Sequence, residues 1–176
     1  FCRGRIFNSV EKDYKQYDNE IRILWGCGVC LLVKRDFFIK NGMFDEDLYM
    51  YAEETDFCWR SNIYGKEILF CPKAEIYHIG SFSVNSKKIN RKREYWTTRN
   101  HIIILLKNYS FSRIIFILPI KILLEFISAL RFPRIKAVPF VKCMLSIPML
   151  YITKIHKKRT IIQNNRNIKD KDIERM

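Results

Sequence analysis

Between Asp45 and Asp56 the chain places six carboxylates, Asp45, Glu46, Asp47, Glu53, Glu54 and Asp56, within twelve residues. Like charges this close repel, so a fold that keeps them together must compensate them with a metal, a proton-transfer task or solvent. The plainest reading of Asn41 to Arg60 is a solvated loop followed by an acidic first helical turn, which the helix dipole favours. Thr55 to Tyr64 is then expected as a helix with Phe57 and Tyr64 inward, Arg60 outward and Gly65 at C′. Glu53 and Glu54 would stand at its first turn, where backbone N–H groups stabilise the ionised form.

This acidic stretch interrupts a basic protein of formal charge +14. Residues 1–86 carry 11 Lys and Arg against 13 Asp and Glu, whereas residues 87–176 carry 21 against 5. An acidic, site-like half is thus joined to a half that should seek polyanions, either anionic lipid or nucleic acid. With 176 residues the chain can form one domain with a core of its own. Its six cysteines show no disulfide-framework spacing and suit a reducing compartment. Cys27-x-x-Cys30 lies inside an apolar run, and no second such pair exists to complete a zinc site.

Read in order, residues 1–21 are polar and irregular, a loop entering the domain. Ile23 to Val33 is almost continuously apolar and reads as a buried strand, with Gly26 and Gly28 admitting a close neighbour. Asp36 is a candidate N-cap for a short helix, Phe37 to Lys40, stopped by Gly42. Glu67 to Phe70 and Glu75 to Ile79 are short strand candidates, the second running into Tyr77-His78-Ile79-Gly80-Ser81. Residues 87–108 open with a basic cluster and read as a helix through Tyr95-Trp96-Thr97-Thr98-Arg99-Asn100.

Four motifs follow one another: Trp25-Gly26-Cys27, Asn41 to Arg60, His78-Ile79-Gly80-Ser81-Phe82-Ser83, and Tyr95-x-x-x-Arg99-Asn100. Their succession resembles the acceptor side of family-2 glycosyltransferases, from about Leu24 to Lys107. In that family a Gly-Gly-Phe-Asp-Glu turn leads through aromatics to Glu-Asp-x-Asp. Here Met43 stands in place of the second Gly and Glu54 in place of the first Asp. The resemblance implies an α/β fold: the C-terminal, acceptor-side half of a GT-A-type domain over residues 1–108, followed by amphipathic helices. It implies Glu54 as the base, Glu53 positioning the acceptor or the base, and Asp56 bracing the helix start. Trp25, Gly26 and Cys27 would line the acceptor pocket. Arg99 would face phosphate, with a salt bridge as its structural alternative. His78 would help hold Mg²⁺ or Mn²⁺. The implied partners are a nucleotide-sugar donor and a glycan or lipid-linked acceptor, in cell-envelope polysaccharide synthesis. No nucleotide-binding βαβ half is visible before Trp25, and the chain opens on Phe1, so a fragment of a longer enzyme is expected.

From Phe111 the chain is aliphatic with widely spaced charges. Arg113, Lys121, Glu125, Ser128 and Arg131 fall within an arc of about 120° at 100° per residue. Pro119 is expected to kink this helix and Phe132-Pro133 to end it. A second apolar segment continues to about Thr153, and its longest uncharged run, Cys143 to Thr153, is shorter than the ~20 residues needed to span a bilayer. Residues 109–156 are therefore expected as helices lying peripherally on an anionic membrane surface at the cytoplasmic face, apolar side down and Lys/Arg toward the headgroups. Residues 157–176 read as a polar, disordered tail. The competing functions are a basic nucleic-acid-binding module and a non-catalytic membrane scaffold. No nucleic-acid partner is expected, because the basic residues interleave with Ile and Leu rather than with stacking aromatics.

Overall fold

The computed structural model describes residues 15, 17–76 and 90–175. Strand β1 (Ile21–Ile23) pairs antiparallel with β2 (Ile68–Phe70), Ile21 opposite Phe70 and Ile23 opposite Ile68. Between them lie α1 (Arg35–Lys40), a 3-10 turn (Glu46–Leu48) and α2 (Glu53–Ile63). The second half is helical: α3 (Asn90–Asn108), α4 (Phe111–Arg131), α5 (Pro133–Leu150), a π turn (Tyr151–Ile155), α6 (His156–Asn164) and α7 (Asp170–Ile173). A two-stranded antiparallel sheet does not by itself identify a GT-A domain.

The core forms where α2 and α3 meet the end of the chain. Trp59 of α2 is packed against three small clusters at once: Leu48 with Ile103, Ile104 and Ile155; Ile63 with Ile162 and Ile173; and Leu105 with Tyr109 and Ile114. Its indole meets the Tyr109 ring edge to face at 4.7 Å. Helix α2 stops at Tyr64, where Gly65 takes φ +76° and returns its N–H to Asn62. That left-handed geometry is the one a glycine accepts most readily.

Several expectations are corrected. The strand expected over Ile23 to Val33 is confined to Ile21–Ile23; the rest is irregular. Its backbone groups are taken by side chains of α2 instead of a neighbouring strand, as described below. The helix expected from Thr55 begins two residues earlier, at Glu53. Arg60, expected outward, is 5 % exposed. It pairs with Asp56 at 2.9 Å and donates to the carbonyls of Asn41 and Met43, which the turn after α1 leaves without helical partners.

The segment expected as a disordered tail folds into α6 and α7. Ile162 and Ile173 bury against Ile63, Arg166 pairs with Asp170 at 2.8 Å, and the backbone N–H groups of Asn167 and Ile168 donate to the Ile63 carbonyl. Ile162, Ile168 and Ile173 give this polar stretch enough apolar area to dock. The strand candidate after Glu75, and with it His78, lies outside the described residues.

Candidate functional site

The turn that delivers Glu53 and Glu54 has an unusual backbone. Tyr49, Tyr51 and Ala52 take φ values of 58°, 71° and 68°. Such residues are disfavoured there by roughly 1–2 kcal/mol each. What holds them is Asn100 of α3, fully buried. Its side-chain NH₂ donates to the carbonyls of Leu48, Met50 and Tyr51 at 2.7–2.8 Å. Arg99 completes the clamp by donating to the Asp47 carbonyl and to Asn100 Oδ1, each at 2.9 Å. Its guanidinium also lies over the Trp96 ring at 5.0 Å. Arg99 is thus spent on the turn, and no ion pair involves it among the described residues.

Apart from Glu46, which is exposed, the acids divide into two groups. Asp45 is joined to Lys107 and Lys158, Asp47 to Lys154 and Lys158, and Asp56 to Arg60 and Lys107. Asn108 adds a bond to Asp56 at 2.9 Å. Burial acts to raise the Asp45 carboxyl, but Lys107 and then Lys158 outweigh it and hold the group far below its usual range. Asp47 is also lowered: burial opposes ionisation, and Lys154 and Lys158 overcome it. Asp56, with 0 % exposure, reaches no solvent and serves as a strut between α2 and α3.

Glu53 and Glu54 have no cationic partner among the described residues. One Glu53 oxygen, Oε2, is buried without a hydrogen-bond partner among them. Burial pushes the Glu54 carboxyl above its ordinary 4.5; its own N–H and that of Gly28 pull back, and the charge of Glu53 adds to the rise. A half-buried carboxylate with raised proton affinity and no counter-cation is equipped to accept a proton.

The loop over Glu54 follows the pitch of α2. Asn62 donates to the Leu24 carbonyl at 2.8 Å, the Gly26 N–H points to Cys58 Sγ at 3.5 Å, and the Gly28 N–H meets Glu54. Steps of two residues in an extended chain, about 6.6 Å, match steps of four in a helix, about 6 Å. Trp25, Gly26 and Cys27 are thereby laid along the same face of α2 as Glu54, with Trp25 half-buried and Cys27 exposed. The neighbour that Gly28 admits is Glu54 itself, whose side chain lies 3.7 Å from where a Cβ would stand. Cys27 and Cys30 are free, exposed thiols on a turn, and burial raises the Cys58 thiol, so Cys58 is not an activated nucleophile.

The described residues do not fit a divalent cation. No group of three or more His, Cys, Asp or Glu among them could hold one, and Asp45, Asp47 and Asp56 are already neutralised by lysine and arginine. Lys107 and Asn108 are supporting residues the sequence reading passed over, and Asn100 was named there only as part of a motif, without a role. A signal was present: polar residues at 99–100 and again at 107–108, about two turns apart, give α3 a polar stripe amid Ile and Leu.

With this geometry in view, the comparison with known proteins gives a partial similarity to a glycosyltransferase. A stretch of 54 residues, 31 % of the chain, is 41 % identical to the N-acetylglucosaminyl-diphospho-decaprenol L-rhamnosyltransferase of Mycobacterium tuberculosis, in two strains. The match spans 18 % of that enzyme's length. No established family profile matches the chain, and no solved structure does.

Proposed function

We propose that the chain carries the acceptor-side site of an inverting glycosyltransferase, in a GT-A-type domain, with Glu54 as general base. The observation that carries this reading is the separation of the acids. Three aspartates are neutralised in the framework, while Glu54 stands at the start of α2 with raised proton affinity and no cationic partner among the described residues. An acceptor hydroxyl is a weak nucleophile. A carboxylate within about 3 Å takes its proton as oxygen bonds to the anomeric carbon and the nucleoside diphosphate departs. Glu53 shares the turn and positions acceptor or base, and Trp25 to Cys27 flank the approach. The partial similarity to a rhamnosyltransferase supports the same class. The proposed donor is a nucleotide sugar, and the proposed acceptor is a glycan or lipid-linked. Mg²⁺ or Mn²⁺ has no ligand set among the described residues, and no step here depends on one.

The test is sugar transfer by the full-length protein from nucleotide-sugar donors. Glu54→Gln is expected to cut turnover by about 10²-fold or more with the melting temperature unchanged. A fully active Glu54→Gln protein would remove Glu54 from the role. An unmutated protein inert toward all such donors would favour a non-catalytic scaffold.

A further inference from the structure

The hairpin of α4 and α5 is built inside out. The charged pair midway along α4, Lys121 with Glu125 at 2.6 Å, is turned inward, where Glu125 accepts from Thr98 of α3 at 3.3 Å. The opposite arc of α4 presents Ile115, Phe116, Ile120, Leu123, Ile127 and Leu130, all exposed. Along α5 and into the π turn a stripe at helical spacing, Ile135, Val138, Val141, Leu145, Met149 and Ile152, is exposed as well, with Leu145 at 76 % and Ile152 at 79 %. Between the two faces runs an apolar groove of about 490 Å³ lined by side chains such as Leu118, Phe126 and Phe140. Water-soluble surfaces rarely carry a continuous apolar expanse of this size. The sequence-based expectation that the arc of Lys121 and Glu125 would face headgroups is therefore reversed.

Charge complementarity names the occupant. Where the N-terminus of α3 meets the α4–α5 turn, Arg91, Lys92, Arg131 and Arg134 are all exposed, and among the described residues there only Glu94 is of opposite sign, paired to Lys136. Arg91 donates to the Arg134 carbonyl at 2.8 Å, so these charges form one collar at the end of the apolar face. Residues 133–164 form a helical stretch apolar and long enough to cross a membrane. However, exposed Lys142 lies on the α5 stripe, halfway along the helix. A spanning helix would carry that ammonium to the bilayer centre, whereas a helix lying flat lets it reach the headgroups.

We propose that the outer face of the α4–α5 hairpin is seated in the plane of an anionic bilayer's interface, with the basic collar and Lys142 on the headgroups. This surface is independent of the glycosyltransferase reading.

The test is co-sedimentation of the full chain with vesicles of phosphatidylcholine alone and of phosphatidylcholine with phosphatidylglycerol. Binding to both is expected, roughly tenfold or more tighter to the anionic vesicles, with salt reducing only that preference. The combined change Phe116→Ser, Leu123→Ser and Ile127→Ser should abolish binding to both. Arg131→Glu with Arg134→Glu should abolish only the preference. Leu145→Trp supplies a readout that needs no loss of binding: its fluorescence should be quenched by brominated acyl chains. Quenching by aqueous iodide alone would overturn the proposal. So would binding to duplex DNA but to neither vesicle, self-association in place of lipid binding, or resistance of the bound chain to carbonate extraction.

Discussion

Lys107 is 1 % exposed and touches both Asp45 and Asp56. Removing its charge would leave two buried carboxylates undercompensated, so Lys107→Met is expected to destabilise the fold by about 3–5 kcal/mol. Urea denaturation at pH 7 measures this, and a loss below about 1 kcal/mol would mean that Lys158 and Arg60 suffice. His101 offers the opposite case. Burial, reinforced by Lys121, pushes its imidazole down to about 4 from 6.5. The folded state therefore binds this proton less readily than the unfolded state. The stability contributed by neutral His101 is fully present above pH 6.5 and is lost as pH falls toward 4. Denaturation midpoints at pH 7, 5.5 and 4.5 should decline, and His101→Gln should flatten the decline in that window. Asp45, with its pKa lowered, keeps its contribution until pH falls below the ordinary 3.8, so it adds nothing to the slope between 7 and 4.5.

Helix α3 has two working faces: Asn100, Lys107 and Asn108 grip the acidic turn, while Thr98 meets Glu125 of the hairpin. Asn100→Ala would strand three carbonyls beside a left-handed backbone, at an expected cost of roughly 2–4 kcal/mol. Partial restoration by a second change, Tyr51→Gly, would trace part of that cost to the backbone rather than to packing. At the end of α2, Gly65→Ala should cost about 1 kcal/mol from φ alone, since the new Cβ would meet Ile168 and Asn167 at ordinary distances of 3.8–3.9 Å. The C-terminal end of α2 and the break between α4 and α5 were legible because Gly65 and Phe132-Pro133 act locally, through φ and a missing N–H. Ile23 to Val33 was not legible as a loop, because an apolar run does not disclose whether a strand or a helix's side chains will satisfy its backbone. Arg60 and Arg99 misled for the same reason. Their partners are carbonyls of turns, which carry no sequence identity. The free state of Glu54 could be guessed at only through a resemblance, since it depends on where distant lysines go.

The chain closes on itself through its last helices. Lys154 and Lys158 reach Asp47 and Asp45, Arg113 pairs with Glu174, and Ser110 N–H donates to Asp170 at 2.9 Å. A chain ended after Ile155 would lose Lys158, Ile162 and Ile173 together, and it should show no cooperative melting transition. A normal transition would make α6 and α7 dispensable. The span of those ion pairs, 107 residues for Asp47–Lys154 and 113 for Asp45–Lys158, also fixes an order of events during synthesis. At roughly 5–20 residues per second, the acidic turn leaves the ribosome on the order of ten seconds before the lysines that neutralise it. Until then Asp47 stands beside Glu53 and Glu54 as an uncompensated acid on a nascent chain, and only the arrival of Lys154 and Lys158 separates it from them.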